Sequence, residues 1–163
     1  MDLIVQKAVE IGAAEIAPLI SERTIIHLDP GSAEEKQRKW QQVAIEAAKQ
    51  SGQNWLPKVQ APRNLNDFFS GTPLQQLRLI GSLQSDAVNL KQVLTQYERE
   101  HHSRPASVLM CIGPEGDFTP AELNFARSQG CRPITLGPII LRVETAAIYC
   151  LSVLSYELFA AAC

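Results

Sequence analysis

Two glycine-proline loops hold the residues whose types and spacing best suit binding and chemistry. The first loop, 112–118, reads Ile-Gly-Pro-Glu-Gly-Asp-Phe, and the second loop, 136–146, reads Leu-Gly-Pro-Ile-Ile-Leu-Arg-Val-Glu-Thr-Ala. Glycine lets a backbone approach a ligand and proline stiffens a turn, so each loop can present main-chain groups to a flat molecule. Both follow apolar runs typical of strands, so we expect one shared pocket. The alternative is that they are plain connections whose apolar side chains pack in the core.

An alternation of strand and helix patterns positions these loops. We predict helices over 1–12, 33–50 and 89–100, from Pro120, and at the C-terminus, and strands over 15–20, 77–83, 107–112 and 133–136. The alternation predicts an α/β fold with a mainly parallel sheet flanked by helices, in which ligands bind at the carboxyl ends of the strands. Residues 55–73, with three prolines and a glycine, are predicted to form an irregular connection.

A helix start follows the first loop directly. Thr119, Pro120 and Glu122 have the spacing of a capping box, with proline at the first helical position. Neither glycine-proline loop matches the dinucleotide-binding or Walker fingerprints. These patterns alone therefore predict a pocket without identifying its ligand.

The composition predicts one globular domain. The chain has 163 residues, 45% of them hydrophobic, and a formal net charge of −2. This charge gives no general attraction for polyanions, so contact with nucleic acid must come from a local basic face or another domain. The apolar C-terminal stretch is interrupted by serine, tyrosine and glutamate, which predicts no membrane association.

The four cysteines indicate a reducing compartment. Cys111, Cys131, Cys150 and Cys163 lie among apolar neighbours and lack metal-ligand spacing. Buried reduced thiols are therefore expected, with no metal site and a cytoplasmic location.

Both loops, with several earlier segments, carry a family resemblance. Ile-Gly-Pro-Glu-Gly followed by Phe118, then Leu-Gly-Pro-x-Ile-Leu-Arg-x-Glu-Thr-Ala, resembles the signature pair of the 16S ribosomal RNA uracil-N3 methyltransferases of RsmE type, in the SPOUT superfamily. The segments Val5 to Gly12, Pro18 with Ser21-Glu22-Arg23, and Trp40 to Gly52 are similar too. The resemblance covers nearly the whole chain.

The resemblance implies a fold, a cofactor and partners. It implies a C-terminal trefoil knot, S-adenosylmethionine as methyl donor, and methylation of N3 of a uridine in 16S rRNA of the small ribosomal subunit. It also implies a homodimer, with the C-terminal helix either at the subunit interface or an ordinary core helix. The implied cofactor-binding residues come from three segments: Leu83, Ile112, Gly113, Glu115, Gly116, Leu136, Gly137, Ile140 and Leu141.

The implied reaction needs few groups, because the cofactor supplies the methyl group and the protein mainly aligns the nucleophile. Uracil N3 carries a proton at neutral pH, so a base and a nearby cation are required. Arg142 is the candidate cation, and Glu144 or Glu115 the candidate base. Alternatively, Arg142 forms a structural ion pair with Glu144 or binds a backbone carbonyl, and Glu144 only complements the positive end of a helix.

Arg23 and Lys7 are the candidate RNA-binding residues. A solvated surface of mixed charge is the alternative, since acidic residues lie close in sequence.

Three positions depart from the family pattern. The family usually has glycine where this chain has Asp117, arginine where it has Ile139 and threonine where it has Val143. The resemblance also implies a two-domain design with an N-terminal, PUA-like RNA-binding barrel. We expect that barrel to be absent here, so that residues 1–163 form one methyltransferase domain.

Two other functions remain open. One is a knotted domain that binds cofactor or RNA without turnover, and the other is an unknotted flavodoxin-like nucleotide-binding protein.

Overall fold

The computed structural model describes residues 1–24, 30–114 and 117–159. The first half of the described chain contains three helices and four very short strands. In chain order they are α1 (Asp2–Ile11), β1 (Glu15–Ile16), β2 (Leu19–Ile20), α2 (Pro30–Ser51), β3 (Lys58–Val59), β4 (Arg63–Asn64) and α3 (Leu65–Gly71).

The second half contains the main sheet and three helices. These elements are β5 (Leu77–Gly81), β6 (Val88–Asn89), α4 (Leu90–His101), β7 (Val108–Cys111), α5 (Pro120–Ser128), β8 (Cys131–Thr135) and α6 (Val143–Phe159). The helices predicted from the sequence are all present, with ends shifted by a few residues.

The main sheet is parallel throughout, with the strand order β6-β8-β5-β7. β5 lies between two strands that follow it in the chain, so that Ile80 pairs with Cys111 on one side and with Pro133 on the other. The carboxyl ends of β5, β7 and β8 therefore meet at one edge of the sheet. The predicted α/β fold with a parallel sheet flanked by helices is confirmed.

Two predictions for the first half are wrong. Residues 15–20 are two strands, because Pro18 lies between them and has no N–H for a ladder; β1 pairs with β3, and β2 with β4. Residues 55–73 are not irregular, since they contain β3, β4 and α3. Asn64 begins α3 by accepting a hydrogen bond from the Asp67 N–H at 2.8 Å, which is a local cap signal within this segment.

The helical end of the molecule, formed by α1, α2 and β3, has its own apolar core. Val5 and Val9 of α1 pack against Trp40 and Ala44 of α2 and against Val59 of β3. The 3.6-residue period brings these side chains to one face of each helix. Gly12 ends α1 with a φ of 103°, a left-handed conformation that favours glycine.

Polar contacts at the start of α1 reinforce this packing. The Trp40 indole N–H donates to Asp2 Oδ1 at 3.0 Å, and Lys39 Nζ lies 2.6 Å from Asp2 Oδ2. The hydrogen bond from Lys39 is the main cause that lowers the pKa of Asp2. The carboxylate form is thus the one that holds the two helices together here.

The main sheet separates two further cores, because adjacent residues of β5 face opposite sides. Ile80 packs with α3 and α5, whereas Leu79 packs with α4 and α6. The β5 side chains Leu77, Leu79 and Ile80 are almost completely buried. The sheet is therefore covered by helices on both faces, as parallel sheets generally are.

The described cysteines agree with the predicted buried thiols. Cys111, Cys131 and Cys150 are buried and free, and burial raises the pKa of the Cys150 thiol to about 12. Cys163 lies outside the described residues. None of the helices in the described ranges combines the length and apolar character needed to cross a bilayer.

Candidate functional site

A cleft lies at the edge where β5, β7 and β8 end. Three segments line it: the residues at the end of β5, the first loop and the second loop. The lining residues are Gly81, Ser82, Leu83, Ile112, Gly113, Pro114, Asp117, Leu136, Gly137, Ile139, Ile140, Leu141 and Ala146. The two glycine-proline loops thus share one pocket, as predicted, although β5 lies between β7 and β8, the strands that they follow.

Glycine is required at Gly113 by packing. A Cβ built there would lie 2.9 Å from Cδ2 of Phe118, closer than side chains tolerate. Phe118 is almost fully buried in the core beneath the first loop and cannot easily move away. The first loop is therefore tight because its own aromatic residue packs under it.

Glycine is required at Gly137 by backbone conformation. Its φ is 118°, which residues with a Cβ rarely adopt, although nothing lies within 4 Å of the position of a Cβ. Its N–H donates to Thr135 Oγ1 at 3.3 Å, which ties the turn to the end of β8. The second loop therefore leaves β8 through a turn that glycine makes possible.

The predicted capping box at the start of α5 is confirmed, and its glutamate also accepts a hydrogen bond from a distant segment of the chain. Thr119 Oγ1 accepts from the Glu122 N–H at 3.3 Å, and Glu122 Oε2 accepts from the Thr119 N–H at 2.8 Å. The other oxygen of the buried Glu122 carboxylate accepts from the Glu22 N–H at 2.9 Å. Glu122 thereby links the turn at 21–24 to the start of α5.

The end of β5 supplies the third wall, which contains the predicted residue Leu83 together with Gly81 and Ser82. The strand ends at Gly81, and the Ser82 N–H donates to the Ile134 carbonyl of β8 at 2.9 Å. The Leu83 N–H donates to Asp117 Oδ2 at 3.0 Å. The break in the apolar run at Gly81-Ser82 could have indicated where the strand ends, but the strand was predicted to continue through it to Leu83.

The cleft contains seven of the nine predicted cofactor-binding residues: Leu83, Ile112, Gly113, Leu136, Gly137, Ile140 and Leu141. The other two, Glu115 and Gly116, lie outside the described residues. Sequence reasoning missed Gly81, Ser82, Pro114, Asp117, Ile139 and Ala146 as lining residues. The missed residues are mostly immediate neighbours of the predicted ones.

The candidate catalytic residues lie beside the cleft and do not line it. Arg142 is exposed, and its carbonyl accepts from the Ala146 N–H at 2.8 Å at the start of α6. Glu144 is half-buried in the first turn of that helix. Within the described ranges, no carboxylate lies within 4.0 Å of the Arg142 guanidinium, so the alternative of an ion pair with Glu144 is not formed here.

The candidate RNA-binding residues differ in position. Arg23 is exposed near the first loop, where its Nη1 donates to the Asp117 carbonyl at 3.4 Å. Lys7 lies on α1, and its Nζ is 2.7 Å from Glu10 Oε2. Arg23 is thus connected to the pocket and Lys7 is paired within its own helix.

The cleft suits a flat, partly apolar ligand. Glycine backbone and aliphatic side chains form most of the lining, while Ser82 and Asp117 supply polar groups. The cavity volume is about 60 Å³, about twice the space of one water molecule in the liquid. A nucleoside-sized ligand therefore either stays partly in solvent or shifts the segment around Ile139 and Ile140, which are 72% and 66% exposed.

Comparison with known proteins identifies the family. The model of the RNA methyltransferase domain matches residues 1–155. Ribosomal RNA small subunit methyltransferase E of Mesomycoplasma hyopneumoniae is 35% identical over 156 residues, which is 93% of this chain and 62% of that protein. The Bacillus subtilis protein of the same name is 32% identical over 164 residues, covering 96% of this chain and 61% of the relative. The chain thus spans about three fifths of the length of these relatives.

Solved structures agree with this fold. A ribosomal RNA small subunit methyltransferase E from Neisseria gonorrhoeae, bound to S-adenosyl methionine, superposes with a TM-score of 0.82 at 34% identity, over 96% of this chain and 61% of that one. A Legionella pneumophila protein in complex with the same cofactor has a TM-score of 0.83, also at 34% identity, with the same coverage of both chains. The resemblance carried by the two loops is confirmed, and this chain belongs to the RNA methyltransferase domain family.

Proposed function

We propose that this chain is a methyltransferase domain that uses S-adenosylmethionine to methylate N3 of a uridine in 16S rRNA of the small ribosomal subunit. The observation that carries the proposal is the cleft at the ends of β5, β7 and β8, which is built from both glycine-proline loops. Relatives named for this class of rRNA methylation and structures holding the cofactor support it. The whole of residues 1–163 is proposed as one domain, acting in the cytoplasm.

The cofactor would lie against the seven predicted residues of the cleft. The apolar side chains Leu83, Ile140 and Leu141 would contact the adenine ring and the methionine chain, and the glycines would allow close approach of the backbone. When bound, the cofactor would supply the methyl group from its sulfonium sulfur, which would leave as a thioether. Glu115 and Gly116 remain predicted contacts.

The protein's contribution to the reaction would be alignment and charge. Arg142 is placed beside the cleft without a carboxylate partner in the described ranges, so its charge is available to stabilise the imide anion of uracil. Glu144, in the first turn of α6, is the proposed proton acceptor. Arg23 and Lys7 are proposed to contact RNA phosphates, with Arg23 better placed because it adjoins the first loop.

Knot and dimer complete the proposal. The second loop is proposed to be threaded as a trefoil knot, as the family resemblance implied. A homodimer is proposed to form through the outer face of α6, where Tyr149 and Tyr156 are exposed while Cys150 and Leu154 on the inner face pack in the core. Analytical ultracentrifugation of the purified chain tests this proposal, because a homodimer has twice the molecular mass of the single chain.

Calorimetric titration with S-adenosylmethionine tests the cofactor site. Gly137→Val places a branched side chain at a φ of 118° in the cleft, whereas Gly130→Val places the same side chain at a φ of 84° after α5, away from the cleft. Both changes introduce backbone strain of about 1–3 kcal/mol. We expect only Gly137→Val to abolish binding, and equal loss in both variants would contradict a site at the second loop.

A second candidate function is a domain that binds cofactor or RNA without turnover. The exposed Ile139 favours it, because the family pattern has arginine at this position and an isoleucine cannot contact phosphate. Transfer of labelled methyl from S-adenosylmethionine to small ribosomal subunits separates the two functions. Turnover that is lost in Arg142→Ala supports the enzyme, and cofactor binding without turnover supports the binding domain.

A further inference from the structure

Asp117 supplies a carboxylate to the lining of the cleft. It stands where glycine is usual, and its φ is 63°, in the left-handed region that a residue with a side chain rarely adopts. Nevertheless it is buried, with an exposed fraction of 8%. A buried carboxylate in this conformation costs free energy unless its oxygens are satisfied.

Both carboxylate oxygens of Asp117 accept backbone hydrogen bonds from different segments. Oδ2 accepts from the Leu83 N–H at 3.0 Å, and Oδ1 accepts from the Phe118 N–H at 2.8 Å. The main chain of Asp117 is held as well, since its N–H donates to the Pro114 carbonyl at 2.9 Å and its carbonyl accepts from Arg23. A single residue therefore joins the end of β5, the first loop and the turn at 21–24.

The bond to Leu83 is the one that shapes the cleft. Leu83 lies beyond the end of β5, so its N–H is not paired with a neighbouring strand of the sheet. Its side chain is 54% exposed and lines the cleft together with residues of the second loop. A glycine at position 117 permits the same φ but offers no acceptor, so in this chain the aspartate adds a connection that a glycine cannot make.

We propose that Asp117 is a positioning residue for the ligand of this cleft. Its carboxylate fixes Leu83 against the first loop, and so sets the separation between two of the three walls that hold the ligand. Hydrogen bonds that involve an ionised group are shorter and stronger than neutral ones, which suits this connection. That the ligand is S-adenosylmethionine rests on the proposed function, whereas the connection to Leu83 does not.

Three variants test the proposal. Asp117→Gly keeps the left-handed backbone and removes both acceptor oxygens. Asp117→Asn tolerates the same backbone and keeps one acceptor oxygen, so it is the conservative rescue. Asp86→Asn is the matched control, because it removes a carboxylate from the same segment after β5, one that pairs with Arg127 at 2.6 Å and does not contact the Leu83 N–H.

Two measurements are made on each variant, amide hydrogen exchange without ligand and calorimetric titration with S-adenosylmethionine. In Asp117→Gly we expect exchange at the Leu83 amide to accelerate, and the cofactor Kd to rise, each on the order of tenfold or more. Asp117→Asn is expected to lie between Asp117→Gly and the parent chain. Asp86→Asn is expected to leave both quantities within about twofold of the parent, as for exposed ion pairs.

Each contrary outcome has its own meaning. Unchanged exchange at Leu83 in Asp117→Gly would overturn the connection itself. Faster exchange with an unchanged Kd, or a fall in Tm that is equal in Asp117→Gly and Asp117→Asn with no difference in Kd, would overturn the positioning role. Failure of the parent chain to bind the cofactor would overturn the proposed function, and with it the positioning of that ligand, whereas the exchange measurement would still decide whether the carboxylate holds the Leu83 N–H.

Discussion

The helical end and the cleft are stabilised in different ways. At the helical end, α1, α2 and β3 bury apolar side chains such as Val5, Val9 and Trp40 against each other. At the cleft and the adjoining start of α5, distant backbone N–H groups donate single hydrogen bonds to the carboxylates of Asp117 and Glu122. Apolar packing is spread over many contacts. By contrast, each of these carboxylates links two distant segments through one hydrogen bond. Substitutions should therefore affect stability at one end and ligand geometry at the other.

Trp40→Ala tests this difference with the largest expected effect. The indole is buried between α1 and α2, so its removal should lower the free energy of unfolding by about 3–5 kcal/mol. Urea denaturation followed by circular dichroism measures the loss. Trp40→Phe, which keeps an aromatic ring but loses the hydrogen bond to Asp2, should cost less because most of the apolar contact survives.

The same variant examines whether the two ends are independent. Below its Tm, Trp40→Ala should bind S-adenosylmethionine with a Kd within about twofold of the parent chain, since distant sites generally behave additively. A weakening comparable to that of Gly137→Val would show that the ends are coupled. The route would be the contact between α1 and α6, because α6 begins next to the second loop.

Glu122→Ala should have a smaller effect on stability. It leaves the Glu22 and Thr119 N–H groups without their acceptors, which should cost about 1–3 kcal/mol. Glu122→Gln keeps one carbonyl oxygen and should retain part of that stability. Amide exchange should accelerate at both residues in Glu122→Ala, and no change at Glu22 would contradict the link between the 21–24 turn and α5.

Protonation of Asp2 at low pH should have the smallest effect on the free energy of unfolding. The pKa of this carboxyl is lowered from 3.8, so its contribution to stability is present above that value and is lost as the pH falls through the lowered pKa of the folded state. Titration by nuclear magnetic resonance should place the midpoint below 3.8. In Lys39→Met the midpoint should return towards 3.8, while an unchanged midpoint would show that Lys39 is not the cause.

The same contrast explains what the sequence could predict. The helices at the helical end were predicted closely: α1 was expected over 1–12 and spans Asp2–Ile11, and α2 was expected over 33–50 and spans Pro30–Ser51. Apolar residues repeat every three to four positions in both, and local spacing is visible in a sequence. The two glycine-proline loops were found for the same reason.

The polar connections of the cleft were not predictable in this way. Asp117 and Leu83 are 34 residues apart, and nothing in the local pattern of either residue indicates the other. The resemblance led us to expect glycine at the position of Asp117, so it could not predict the role of this carboxylate. The strands β3, β4 and β6 were missed, and β1 and β2 were predicted as one strand, because two-residue strands are too short to show an alternation.

The central place of β5 also matters while the chain is being made. During synthesis, β5 leaves the ribosome before either neighbour exists, because β7 and β8 both follow it in the chain. At about 5–20 residues per second, the nascent strand waits on the order of seconds with both edges unpaired. Since Leu77, Leu79 and Ile80 become buried only in the finished sheet, we expect this strand to be the segment that chaperones bind on the nascent protein.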